Sequence, residues 1–198
     1  MSKFHSNTER LLDYWRERKV DQLGPARASI NPADLTVLLP QTFILGRVAP
    51  GEYLFRLIGG LPADLHRRDL RGVDFLTLWI AQDRPRLCAA MDAASRSAEP
   101  VVVVAGARTA DGAQARLEIL LTPLRAEQYP LDRWLGLYQP LSPLVQLRGK
   151  ALGELELIRF GAADQEQRFP RLRLAAVDGQ RIATRKEAPQ PDDSKPAA

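Results

Sequence analysis

Two runs of seven residues, TFILGRV (42–48) and EYLFRLI (52–58), stand on either side of Ala49-Pro50-Gly51. Both are rich in β-branched and aromatic residues, and Pro-Gly is a tight-turn signal, so the pair reads as a hairpin. The second run breaks on Gly59-Gly60 and passes into a charged stretch of helical character. That character lasts to about Ser97 in three pieces: LPADLHRRD, DFLTLW and DRPRLCAAMDAASRS. The last places Leu87, Met91 and Ala94 in phase and Pro85 in the first turn, where a missing N–H costs little. Strand character then returns in PVVVVAGA, QARLEILLTPL and RWLGLYQPL, with ADG (110–112) as a second hairpin turn and EQYP as a loop. Ahead of the first hairpin, SNTERLLDYWRER reads as a helix. Ser6 and Glu9 have capping-box spacing, and Leu11, Leu12 and Trp15 share one face. Gly24, Pro25 and Pro32 make a connector after it. Helix, two strands, helices, three strands: this order describes an antiparallel sheet with helices inserted in its middle, an α+β pattern.

At 198 residues and 45% hydrophobic, the chain can bury a real core, and its length suits one domain with extensions. The net charge of +4 is spread among interspersed signs, not concentrated in the stripe that nucleic-acid binding favours. A single cysteine, Cys88, excludes an internal disulfide and a cysteine-cluster metal site, which fits a reducing compartment. The first residues lack the apolar core of a signal peptide, and no apolar run approaches the roughly 18 to 20 residues that cross a bilayer. A cytoplasmic protein without membrane insertion is expected.

Beyond Pro143 the signal weakens. LGELELIRFG reads as a strand or a short helix, and RFPRLRLAAVDGQRIA as an edge strand with one wet face. Its Arg168, Arg171, Arg173, Arg181 and Arg185 read as that wet face, with docking to a partner or an anionic surface as the alternative. The proline-rich, charged end from Arg185 is expected to be a disordered tail.

The element order is that of a PAS domain. NTERLLDYW, PARASINPADL, LLPQTFIL, YLFRLIGG, LRGVDFLTLW, LEILLTPL and RWLGLYQPL resemble, in that order, a family of small single-PAS proteins from alphaproteobacteria, over roughly residues 7 to 140. Gly60 departs from the pattern, which places a small hydroxyl residue there. The resemblance implies a five-stranded antiparallel PAS-like sheet with a helical crossover, an N-terminal helix and a C-terminal extension. The expected divisions are 1–39 for helix and connector, 40–142 for the PAS-like core, 143–184 for the extension and 185–198 for the tail. Gly59-Gly60 would end the second strand and Gly72 the second short turn, since glycine tolerates positive φ.

Arg56 sits among apolar neighbours in the strand. Strict alternation puts Tyr53, Phe55 and Leu57 on one face and Leu54, Arg56 and Ile58 on the other. A buried arginine needs an acceptor. The structural reading is a pair with Asp13, Asp69 or helix C-terminal carbonyls; the functional one is a clamp for a carboxylate or phosphate ligand; a stem that snorkels to water is the third. His66 lies in the crossover from which haem-binding PAS domains take their ligand, but its polar surroundings favour a solvated histidine, with a polar ligand contact as the alternative. Cys88 stands outside the asparagine-cysteine-arginine-phenylalanine motif of flavin-binding relatives and reads as a buried helix-face thiol. Trp79 and Trp134 read as core. Trp15, with Leu11, either packs on the sheet or contributes to an interaction or dimer surface.

No nucleophile–base arrangement and no histidine-rich metal cluster stands in the sequence. The expectation is therefore a non-catalytic sensor or adaptor without a cofactor, not an enzyme and not a nucleic-acid binder. It would act on signalling proteins by protein–protein contact, with a homodimer left open. One alternative is a small-molecule sensor with its ligand behind the sheet near Arg56 and His66. Another is an enzyme on a PAS-like fold.

Overall fold

A computed structural model describes residues 4–20, 24–125 and 133–163. Helix α1 (Ser6–Glu17) forms where expected, but its cap lies one residue earlier. His5 is extended, and its Nδ1 accepts the N–H of Asn7 at 3.1 Å. Glu9 reaches back past Ser6 to accept the N–H of Phe4 at 3.2 Å. The imidazole thus supplies the acceptor that the Ser6 hydroxyl was expected to provide, satisfying one of the orphan donors of the first turn.

The connector runs through short 3-10 turns at Arg27–Ser29, Pro32–Leu35 and Leu39–Gln41 into β1 (Thr42–Ala49) and β2 (Glu52–Ile58). The crossover contains α2 (Gly60–His66), a 3-10 turn at Phe75–Leu78, and α3 (Arg84–Ser97). Strands β3 (Val101–Thr109), β4 (Gln114–Leu124) and β5 (Arg133–Pro140) follow, then a 3-10 turn at Leu144–Leu147 and β6 (Leu152–Ala162). All join one sheet in the order β2-β1-β5-β4-β3-β6, each pair antiparallel. Five strands are those of the expected PAS-like sheet. The sixth comes from the segment beyond residue 143 and pairs along β3 from Val101–Ala162 to Thr109–Leu152. Of the two readings of LGELELIRFG, the strand is the one found. The arginine-rich run from Arg168, the tail 185–198 and the EQYP loop lie outside the described residues.

Both sheet faces are covered, which explains why β3 and β4 carry nearly continuous apolar runs. The inner face, with Phe43, Leu45, Tyr53, Phe55, Val103, Ile119, Trp134 and Tyr138, packs under α2, α3 and the Phe75–Leu78 turn. The outer face, with Val102, Leu120, Leu124, Leu135 and Leu137, packs under α1, Leu35 and Leu38. Both sheet edges are capped by loops. On β2, Phe55 donates to the Val73 carbonyl at 3.0 Å and accepts from the Gly72 N–H at 2.8 Å. On β6, Leu155 accepts from Ile80 at 3.0 Å, and the Leu157 N–H donates to the Asp83 carboxylate at 2.7 Å. Such caps remove the templates on which edges aggregate. No helix among the described residues is long and apolar enough to cross a membrane.

Candidate functional site

The inner face is built of interlocking rings. Phe43 meets Phe55 edge-on at 5.5 Å between centroids and stacks on Phe75 at 6.0 Å; Phe75 meets Trp79 edge-on at 5.9 Å. Tyr53 meets Trp134 edge-on at 6.5 Å. Opposite Phe43 in the register stands Gly136, and a Cβ there would overlap the Phe43 ring. The ring therefore fills the space in front of β5. The indole N–H groups of Trp79 and Trp134 are buried in this chamber with no hydrogen-bond partner among the described residues.

Two polar clusters border the chamber. At the hairpin end of the sheet, Asp92 of α3 accepts from the Tyr53 hydroxyl at 2.8 Å and pairs with Arg47 at 3.3 Å. The Cys88 thiol lies 3.9 Å from the same carboxylate. Burial, then the Asp92 charge, pushes the thiol above its ordinary range, so it is a poor nucleophile. Burial and Asp92 likewise raise the Tyr53 phenol. Cys88 is only half-buried, on α3 against the β1–β2 turn at Gly51, in place of the buried helix-face thiol expected.

At the other end, His66 is 7% exposed, and its Nε2 lies 2.8 Å from the Tyr138 hydroxyl. Burial, helped by the nearby Arg68 charge, lowers it to about 4, against the pull of a hydrogen bond to the Leu152 backbone. The solvated histidine read from DLHRRDL is thus corrected. The polarity is that of its exposed sequence neighbours, while its own ring turns under β5 and β6.

Arg56 is also placed differently from the clamp reading. β2 bulges between the pairs Ile44–Leu57 and Leu45–Phe55, leaving Arg56 unpaired. One extra residue shifts the alternation, so Leu57 points to solvent, 48% exposed, while Phe55 points inward. Arg56 is exposed on the outer face, its stem lying over Gly46, where a Cβ would stand 2.9 Å from Nε. The expected acids are engaged elsewhere: Asp13 with Arg16, Asp69 with Arg71. The sheet thus separates Arg56 from His66.

Leu11 and Trp15 both face the sheet and are fully buried, with the Trp15 indole donating to the Pro123 carbonyl at 2.9 Å. An outward-facing surface through these side chains is corrected, because covering the outer face uses α1's whole apolar stripe. Trp79 and Trp134 are core, as read. Sequence reasoning missed Glu118, which is 2% exposed on the outer face and accepts the His5 N–H at 2.9 Å. Next to it the Asn7 amide donates to Gln139 at 2.9 Å. A glutamate interrupting the apolar run of β4 was the available signal.

The chain belongs to the PAS domain family, whose model matches residues 3–139. No curated protein matches it. Among solved structures it is similar to a light-oxygen-voltage domain studied with a flavin analogue, at 14% identity and TM-score 0.45, over 59% of this chain and 87% of that one. It is also similar to an RNA-binding light-oxygen-voltage receptor, at 17% identity and TM-score 0.45, over 66% of this chain and 39% of that one. A Rhodobacter sphaeroides LOV protein matches at 13% identity and TM-score 0.43, over 57% and 69%. The fold is that of a PAS-type sensor domain, a class used in signal transduction.

Proposed function

We propose that this PAS domain is a non-catalytic sensor or adaptor that works in the cytoplasm by binding partner proteins in a bacterial signalling pathway. The observation that supports this reading is the filled inner face: Phe43 seats its ring on Gly136, and Phe55, Phe75 and Trp79 close around it. A chamber filled by its own rings holds a fold together and leaves recognition to the surface. Native mass spectrometry of the protein isolated from its host, with an absorption spectrum alongside, tests this. The expected result is a colourless protein carrying a partner polypeptide and no small molecule. A small molecule retained at one per chain would sink the reading.

One observation favours a second reading, a small-molecule sensor. The Trp79 and Trp134 indoles are buried donors with no acceptor among the described residues, and each unpaired donor has a cost that an acceptor-bearing ligand would remove. The ligand would lie inside the chamber, not beside Arg56. Its mark would be a raised melting temperature on adding the molecule retained in the mass spectrum, abolished by Trp79→Phe with Trp134→Phe.

A further inference from the structure

Two arginines hold left-handed backbone at turns where glycine is the inexpensive residue: Arg67 at φ 52° and Arg148 at φ 48°. Arg67 ends α2, and Arg148 ends the 3-10 turn before β6. They converge although they are far apart in sequence, since the Arg67 Nη2 would stand 3.1 Å from a Cβ on Gly149. His66, next to Arg67, is buried against β5, its Nε2 lying 2.8 Å from the Tyr138 hydroxyl. Arg68 extends the same corner and, with Arg67, lines a cleft of about 590 Å³ between β2 and α2. Arg67, Arg68 and Arg148 are exposed, and among the described residues none pairs with a carboxylate. Two acids share the cleft: Asp69 is neutralised by Arg71 at 2.9 Å, and Asp64 stands on its wall. Beside Arg148, in the same turn, Val145 is 83% exposed.

We propose that this corner is a docking surface for an acidic segment of a partner protein, the arginines taking carboxylates and Val145 taking an apolar side chain next to them. The proposal rests on the adaptor reading and names its contact surface. Guanidinium groups suit carboxylates in bidentate geometry, and the rigid turns lower the entropy lost on binding. A nucleic acid would leave Val145 in water, and three arginines at one corner make no extended basic track.

The test uses the full chain and a fluorescein-labelled peptide of glutamates interrupted by leucines, read by anisotropy at low salt. Leucine-free polyglutamate and a single-stranded RNA oligonucleotide serve as comparisons. The leucine-bearing peptide is expected to bind most tightly. The double variant Arg67→Gly with Arg148→Gly should weaken it roughly tenfold, as should Val145→Asp, while Arg10→Ala with Arg96→Ala, on α1 and α3, should leave it unchanged. Since glycine relaxes a left-handed turn, the double glycine variant should keep or raise the melting temperature. A fall would mean that the arginines brace the turns, and would overturn the proposal. So would no binding by the leucine-bearing peptide, tighter binding of the RNA, or equal weakening by the Arg10 and Arg96 changes. If the peptide fails while native mass spectrometry shows a partner polypeptide, this surface is wrong and the adaptor reading stands.

Discussion

Gly136 and His66 show how single positions carry the inner face. At Gly136 any side chain displaces the Phe43 ring, and overpacking of this kind typically costs about 1–3 kcal/mol. Gly136→Ala should lower the unfolding free energy from urea titration by that amount, and Phe43→Leu in the same chain should recover part of the loss. Simple addition of the two penalties would show that ring and glycine do not couple. His66 is buried in its neutral form, its folded value of about 4 lying below its ordinary 6.5. Between these values the unfolded chain binds a proton that the folded chain does not. Stability therefore rises with pH across that window and falls as pH drops through it, by on the order of 1 kcal/mol per pH unit. Urea titrations between pH 6.5 and 5 should show this slope, and His66→Gln should flatten it. An unchanged slope in the variant would assign it to other groups.

Among the elements, β6 completes a sheet whose five other strands were foreseen, and α1 covers its outer face. Leu155 is fully buried on β6, opposite Ala107, and its carbonyl holds the Ile80 N–H. Leu155→Ala should destabilise the whole domain by roughly 2–5 kcal/mol. A much smaller loss in denaturant titration would mean that β6 is an appendage to an otherwise complete sheet. Helix α1 is anchored at its N-terminal end by a part-buried polar contact, in which Glu118, itself 2% exposed, accepts the His5 N–H at 2.9 Å. Glu118→Ala removes the acceptor of that part-buried donor, at about 0.5–1.5 kcal/mol. Hydrogen exchange should accelerate first at the N–H groups of His5 to Glu9. Exchange that stays slow there would show that the apolar stripe of Leu11, Leu12 and Trp15 holds α1 without the carboxylate.

For the whole molecule, the two cores lie on opposite faces of one sheet, sharing β3, β4 and β5. Loss of either face strips apolar cover from the same strands, so the domain should unfold in one transition. Tryptophan fluorescence of a Trp15→Phe chain reports the inner face through Trp79 and Trp134, and far-UV circular dichroism reports the backbone. Their midpoints should coincide. Separated midpoints would show that α1 and the outer core come away as an independent unit.

The sequence by itself determined the order and kind of nearly every element, because those signals are local. Pro50-Gly51 turns the hairpin, Leu87, Met91 and Ala94 repeat at helical spacing, and Gly59-Gly60 ends β2. The PAS-like sheet followed from that order together with the family resemblance. Which side chains are buried was decided only by the tertiary structure, because burial depends on residues distant in the chain. His66 reads as wet among its charged neighbours, yet it is enclosed by Tyr138, 72 residues away. Arg56 reads as a cation that needs a partner among apolar neighbours until the bulge against β1 turns it outward, and a bulge belongs to a pair of strands. Leu11 and Trp15 form an apolar stripe that suits a sheet or a second chain equally well. The unclaimed outer face of β3, β4 and β5 is what took it.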